Sequence, residues 1–175
     1  MSRHVPDFIN PIRAAEGGYV IAGRLAFARM KRLLEVVANA EGTAEVALNF
    51  AIDGQGIPNV RGQISAVLEL TCQRCLETMK IPVTVKISLG IVGSEDEAKR
   101  LPEQYDPVVM HGEQLLIAEM VEDEILLALP AIPRHDPADC AAAERAEKVR
   151  QDRAGASDAS AANPFAVLAK LKTGR

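Results

Sequence analysis

The stretch QISAVLELTCQRC, residues 63–75, decides the fold of this 175-residue chain. Its apolar residues recur at every second position over 64–70, the period at which strand side chains point to opposite faces of a sheet. The same alternation covers residues 46–53 and 80–89. The three runs predict half-buried antiparallel strands joined as a β-meander, with one turn at residues 53–56 and another at the cysteines.

Two amphipathic helices are predicted to pack against this sheet. Apolar residues recur at helical spacing from Phe27, and the helix is predicted to end near Asn39 or Gly42. A second apolar stripe covers residues 114–129 and ends before Pro130. The predicted fold class is therefore α+β, an antiparallel β-meander of three or more strands packed with two amphipathic helices.

Composition divides the sequence into four parts. Residues 1–18 predict an irregular N-terminal arm, and residues 19–140 predict the α+β domain. Residues 141–162, rich in Ala, Ser and charged residues, predict a linker that is disordered or helical only in part. Residues 163–175 predict a short apolar helix that either latches onto its own domain or enters a partner's groove. Its predicted contact residues are Asn163, Pro164, Phe165, Leu168 and Leu171.

Composition also limits the classes of function. With no Trp, two Tyr and four Phe, the chain offers few aromatic faces on which nucleic-acid bases could stack. No apolar run reaches the ~20 residues of a membrane span, and the N-terminus lacks the apolar core of a secretory signal. The chain is therefore predicted to be cytoplasmic, without a membrane partner.

Charge is distributed unevenly behind the net value of −4. Residues 94–147 carry four Lys/Arg against fourteen Asp/Glu, whereas residues 1–40 carry six against three and residues 148–175 carry six against two. Basic ends would permit contact with phosphate groups, but an ordinary solvated surface produces the same pattern. Charge alone leaves both interpretations open.

Three cysteines and one histidine form the strongest chemical pattern. Cys72 and Cys75 are spaced C-x-x-C between two predicted strands, while His135 and Cys140 follow the second helix. Three thiolates and one imidazole are the ligand set that a tetrahedral structural zinc prefers. Two alternatives stay open, because Cys72 shares the apolar face and could simply pack in the core, and a C-x-x-C pair could cycle as a disulfide.

No catalytic set emerges from the sequence. The three His residues are scattered, and the chain lacks G-x-S-x-G, H-E-x-x-H and phosphate-cradling Gly-rich motifs. The acidic cluster of Glu119, Glu122, Asp123 and Glu124 could bind a cation or a partner that seeks acidic groups. Because its helix already has an apolar stripe, the cluster is predicted to form a solvated face. The chain is therefore predicted not to be an enzyme.

Several blocks of sequence follow one another in a specific order: NPIR at 10–13, NFAID at 49–53, LELTCQRCLE at 68–77, MVEDEILLALP at 120–130, then Pro133, His135, Asp136 and Cys140, and NPFAVLA at 163–169. Taken together, these blocks closely resemble the YceD family of large ribosomal RNA subunit accumulation proteins, which extends from bacteria to plastids. In some relatives Cys stands where this chain has His135, which fits interchangeable metal ligands.

The resemblance implies a non-enzymatic role in the synthesis, processing or stability of 23S ribosomal RNA, and hence in large-subunit biogenesis. The expected partner is ribosomal RNA or a pre-large-subunit particle, with no DNA and no small-molecule substrate. The alternative is an adaptor that docks ribosomal proteins or an RNA-processing enzyme without touching RNA, which the pI of about 5.5 favours. The basic residues expected at an RNA contact are Arg13, Arg24, Arg29, Lys31 and Arg32.

Overall fold

The protein is built on a five-stranded sheet, as seen in a computed structural model that describes residues 5–142, 148–149 and 151–152. The chain divides into two units, Met1–His135 and Asp136–Arg175, and the predicted C-terminal motif falls outside the described residues. No described helix has the length and apolar character needed to cross a bilayer. The elements of the first unit are β1 (Phe8–Ile9), α1 (Pro11–Glu16), β2 (Val20–Ala26), a 3-10 turn (Phe27–Arg29), α2 (Lys31–Leu34), β3 (Thr43–Ile52), β4 (Pro58–Thr71), β5 (Thr78–Val92), α3 (Glu95–Ala98), β6 (Asp106–Val109), β7 (Leu115–Leu116) and α4 (Ile117–Ala128).

The sheet has the strand order β2-β3-β4-β5-β6. Its first four strands are antiparallel neighbours, with Ile64 on β4 opposite Val46 on β3 and Val85 on β5. Strand β6 then pairs in parallel with the last residues of β5, while β1 and β7 form a separate two-stranded ladder. The α+β class and its central β-meander are confirmed.

One face of the sheet is buried and the other is open, as the period-two pattern predicts. On β4, Ile64 and Leu68 are fully buried, whereas Val67 between them is 59% exposed. Burying each such aliphatic side chain contributes ~1.5–3 kcal/mol. The buried residues of α4 that join this core are Ile117, Ala118, Met120, Val121 and Ile125.

The helix predicted from Phe27 to Asn39 or Gly42 is wrong in length. The structure has only the 3-10 turn and the four-residue α2 in this region. Gly42 adopts a φ of 150°, and its carbonyl accepts the N–H of Phe27 at 3.0 Å, so the chain returns toward the sheet. The apolar spacing instead brings Phe27, Met30 and Leu33 into the core, where each is at most 2% exposed.

The N-terminal stretch is more regular than the irregular arm that was expected. Asn10 caps the N-terminus of helix α1, since its side chain accepts the N–H of Arg13 at 3.0 Å, and Pro11 occupies the first helical position. Both residues are typical of a helix start. Ala14 and Ala15 pack into the core, so α1 is part of the domain.

Gly62 lies at a close approach between β3 and β4. A Cβ at this position would overlap the backbone carbonyl of Ala47. Gly62→Ala should therefore destabilise the fold by roughly 1–3 kcal/mol, as overpacking does. At Gly112 nothing lies within 4 Å of an added Cβ, so Gly112→Ala is the matched control and should be neutral. Urea unfolding of the two variants measures the difference, and equal stabilities would contradict the close approach.

A polar network joins the β3–β4 turn to the residue before β6. Asp53 accepts the N–H groups of Ile57 and Gln55 at 2.9 Å, and the hydroxyl of Tyr105 donates to the same carboxylate at 2.9 Å. The guanidinium of Arg61 donates to the Tyr105 hydroxyl and lies 5.1 Å from its ring centroid. The N–H of Ile57 is the main cause that holds the pKa of Asp53 below its ordinary value, against the opposing effect of burial.

Asp53→Asn should reveal this network as a pH dependence of stability. Because the folded-state pKa of Asp53 is depressed, its charge stabilises the fold above the unfolded pKa of ~4, and this is lost as the pH falls through the folded value. The stability advantage of the wild type over Asp53→Asn is therefore expected at neutral pH and should shrink in acid. Urea titrations at both pH values provide the measurement, and a constant difference would count against the network.

Candidate metal centre

The turn between β4 and β5, residues Cys72–Glu77, forms a tight knuckle. The N–H of Cys72 donates to the carbonyl of Glu77, and the N–H of Leu76 donates to the carbonyl of Cys72, both at 2.9 Å. Leu76 adopts a φ of 65°, a left-handed conformation that costs a residue with a side chain roughly 1–2 kcal/mol. Such strain in a non-glycine residue concentrates at binding sites, where the surrounding structure enforces it.

Backbone N–H groups surround the sulfur of Cys72. The N–H of Arg74 lies 3.5 Å from Sγ, and that of His135 lies 3.4 Å away. Burial alone raises the pKa of the Cys72 thiol, but hydrogen bonds from Cys75, His135 and Arg74 outweigh it and lower that pKa from 9.0 to about 5. The knuckle therefore favours a thiolate, which is the form of cysteine that binds metals.

The loop after α4 brings His135 to the knuckle. The N–H of Gln73 donates to the carbonyl of Pro133 at 2.8 Å, which ties this loop to the turn. Nδ1 of His135 then lies 3.3 Å from Sγ of Cys75. Residues 60 positions apart in sequence thus present their ligand atoms to each other.

The ligand atoms of Cys72, Cys75 and His135 lie within 4.8 Å of one another. In tetrahedral zinc sites the Zn–S and Zn–N bonds of ~2.3 and ~2.0 Å place neighbouring ligand atoms roughly 3.5–4 Å apart, so these three could close around one ion. Cys72 and Cys75 are buried, and none of the three cysteines, all within the described residues, forms a disulfide. The cluster could hold a soft divalent metal.

Comparison with known proteins places this chain in a family. The model described as "Large ribosomal RNA subunit accumulation protein YceD" matches residues 60–172. The chain is also similar to the Large ribosomal RNA subunit accumulation protein YceD of Haemophilus influenzae, with 36% identity over 172 residues and 96% of each chain covered. The chain belongs to the YceD family. No solved structure matches it.

All four predicted metal ligands of this YceD-family chain lie within the matched residues 60–172. Cys72, Cys75 and His135 belong to the first unit, where the structure brings them together. Cys140 belongs to the second unit, and its side chain is 2% exposed. The C-x-x-C spacing thus identified two residues whose thiols converge, and the position of His135 followed from no local pattern.

In this YceD-family chain, three of the five basic residues predicted to contact RNA form salt bridges with carboxylates. Arg13 and Lys31 are exposed and form no ion pair within the described part of the chain. Phosphate contact would therefore depend mainly on these two residues. The salt bridges join Arg24 to Glu45, Arg29 to Asp7, and Arg32 to Glu122 and Asp123.

Glu122 is a buried carboxylate, so its predicted place on a solvated face is wrong. It is 3% exposed and accepts the N–H of Leu33 at 2.9 Å and the Nε of Arg32 at 3.0 Å. A signal was present in the sequence, since Glu122 follows Ala118 by four positions and precedes Ile125 by three. Its carboxylate anchors α4 of this YceD-family chain to α2.

Proposed function

We propose that this protein is a non-enzymatic factor in the synthesis, processing or stability of 23S ribosomal RNA and in large-subunit biogenesis. The observation that carries the proposal is the relation to a protein named for large ribosomal RNA subunit accumulation, which covers 96% of the chain. In the leading form of the proposal the protein acts in the cytoplasm by binding ribosomal RNA or a pre-large-subunit particle.

We further propose that Cys72, Cys75, His135 and Cys140 bind one structural zinc. Cys72, Cys75 and His135 lie together in the first unit and could hold a metal ion, and Cys140 follows His135 by only five positions in the sequence. Four protein ligands would fill a tetrahedral shell and leave no open position for a reactive water. A closed site of this kind supports an architectural role for the metal, consistent with a factor that binds rather than catalyses.

Ribosomal RNA levels test the proposed function directly. Removing the gene from its host should lower 23S relative to 16S ribosomal RNA, and restoring the wild-type gene should return the ratio to normal. Quantitative electrophoresis of total RNA provides the measurement. An unchanged ratio in the deletion strain would rule out a role in accumulation of the large-subunit RNA.

If the protein contacts RNA directly, Arg13 and Lys31 are the residues expected to bind its phosphates. If they bind phosphates, each reversal to Glu should weaken binding to precursor particles and reduce the slope of affinity against salt by about 1. Lys86→Glu with Arg100→Glu is the matched control, because both residues are exposed and make no ion pair in the described part of the chain. Equal losses in both pairs would indicate a general charge effect.

The second candidate function is an adaptor that binds protein partners without touching RNA. The pairing of Arg24, Arg29 and Arg32 with carboxylates favours it, because a guanidinium held by an acid is less available to phosphate. The C-terminal motif around Phe165 and Leu168 would then serve as a partner peptide. Crosslinking in cells separates the two candidates, since an adaptor yields adducts with protein and none with RNA.

A further inference from the structure

A groove of about 480 Å³ lies between the edge strand β6 and helix α4. Most of its lining is apolar, and part of that surface is exposed, with Leu127 81% and Leu116 36% accessible. Exposed leucines beside a cavity are typical of a surface that another chain covers. The apolar residues that line the groove are Leu89, Pro107, Val108, Leu115, Leu116, Met120 and Leu127.

Four acids and no basic residue complete the lining of this groove. Asp123 is paired with Arg32 at 2.6 Å, but Asp106, Glu119 and Glu124 form no salt bridge within the described residues. Burial, and then the charges of Asp106 and Asp123, raise the pKa of Glu124 above its ordinary value. The rim is therefore a site of uncompensated negative charge.

The geometry of the acids argues against two other classes of ligand. Among the described residues the one group of His, Cys, Asp or Glu ligands that could hold a metal is the cysteine and histidine cluster, so the rim carboxylates are not gathered around an ion. An acidic rim also repels the phosphates of RNA. The complementary ligand carries positive charge together with apolar side chains.

We propose that this groove docks a cationic amphipathic segment of a partner protein, with its apolar side chains against the leucine-lined floor and its Lys or Arg side chains at the acidic rim. The proposal rests on the adaptor function and names the chemistry of its partner. Charge complementarity selects this occupant, because the lining combines an apolar floor with three acids that lack a described ion pair.

A labelled model peptide tests the proposal on the full-length protein. The probe is a fluorescent amphipathic helix with Leu on one face and Lys on the other, measured by anisotropy at low salt. Glu119→Lys with Glu124→Lys should weaken its binding at least tenfold, and so should Leu127→Glu, because replacing one of the few residues that dominate an interface costs tenfold or more in affinity. Leu127 is mostly exposed, so its replacement should leave the unfolding temperature unchanged.

Two controls distinguish docking in the groove from nonspecific attraction of the cationic probe to acidic side chains. Glu16→Lys with Glu41→Lys makes the same charge change at exposed positions outside the lining and should leave binding intact. A probe with every Leu replaced by Ser should bind at least tenfold more weakly, in proportion to its lost apolar contacts. Equal losses in both pairs of variants, or equal binding of both probes, would overturn the proposal.

The chain's own basic C-terminal residues are the rival occupant. If Lys170→Glu with Lys172→Glu raises the affinity of the full chain for the probe, those residues compete for the groove and the assignment to a partner fails. The outcome is distinct from failure of the proposed function, which the ratio of 23S to 16S ribosomal RNA reports. Groove variants that lose the probe and still restore this ratio would overturn the groove's link to the adaptor role alone.

Discussion

Protein purified without added metal should contain one equivalent of zinc per chain, and His135→Ala or Cys75→Ser should remove it. The expectation follows from the convergence of thiols and imidazole at the knuckle and from the low pKa of Cys72, about 5, which supplies a thiolate at neutral pH. His111 lies outside the ligand group, so His111→Ala is the matched control and should retain the metal. Elemental analysis of the purified variants gives the metal content.

Zinc removal should also lower the unfolding temperature. A ligand at 1,000 times its Kd stabilises the folded state by about 4 kcal/mol, so a chelator should produce a large shift in the wild type. The same chelator should have no effect on His135→Ala, which has already lost the ion. The wild-type protein could instead be purified without metal and show the same unfolding temperature with chelator and with added zinc. That result would mean that the cysteines bind no zinc and contribute only to core packing.

Glu122→Ala should destabilise the domain by roughly 2–4 kcal/mol, because the buried N–H of Leu33 loses its acceptor and α4 leaves a cavity. Glu122→Gln keeps an acceptor oxygen for Leu33 while losing the charge that faces Arg32, so its cost should be smaller. Glu119→Ala is the control on the same helix, since Glu119 is exposed and its loss should stay within about 0.5 kcal/mol. Urea unfolding curves of the three variants provide the comparison.

The two substitutions at Glu122 distinguish two physical causes. If Glu122→Gln and Glu122→Ala cost the same, the charge opposite Arg32 matters more than the hydrogen bond to Leu33. If neither differs from Glu119→Ala, the buried carboxylate contributes nothing measurable and the contact between α2 and α4 is held by apolar packing alone. A larger loss for Ala than for Gln identifies the hydrogen bond as the main contribution.

Local patterns were sufficient for the three central strands of the sheet, β3, β4 and β5. Alternation along β4 identifies Ile64 and Leu68 as buried because the direction of a strand side chain depends only on its position in the strand. Periodicity is a poorer guide after Phe27, where it predicts one long helix. The apolar residues there do enter the core, but on a 3-10 turn and a four-residue helix. Periodicity reports which residues face the core, and the path of the backbone between them depends on contacts such as that of Gly42 with Phe27.

The candidate metal centre also has one part that the sequence predicts and another that it does not. The spacing of Cys72 and Cys75 predicts converging thiols because a four-residue turn limits their separation. Nothing local places His135 against Cys75, since that contact depends on where α4 ends and on the hydrogen bond between Gln73 and Pro133. The acidic groove could not be predicted from local patterns either. Its lining residues belong to separate elements, including β6 and α4, which come together only in the folded chain.

The contact between Cys75 and His135 has a consequence for the order in which the domain folds. An ion that joins these residues closes a loop of 60 positions, which contains β5, β6 and α4. By the entropy of loop closure, bringing the two ends of such a loop together costs about 4 kcal/mol, so the folded domain must hold the ligands together before the ion can bind. The centre would also assemble late in folding, because His135 reaches the knuckle only after these elements have packed.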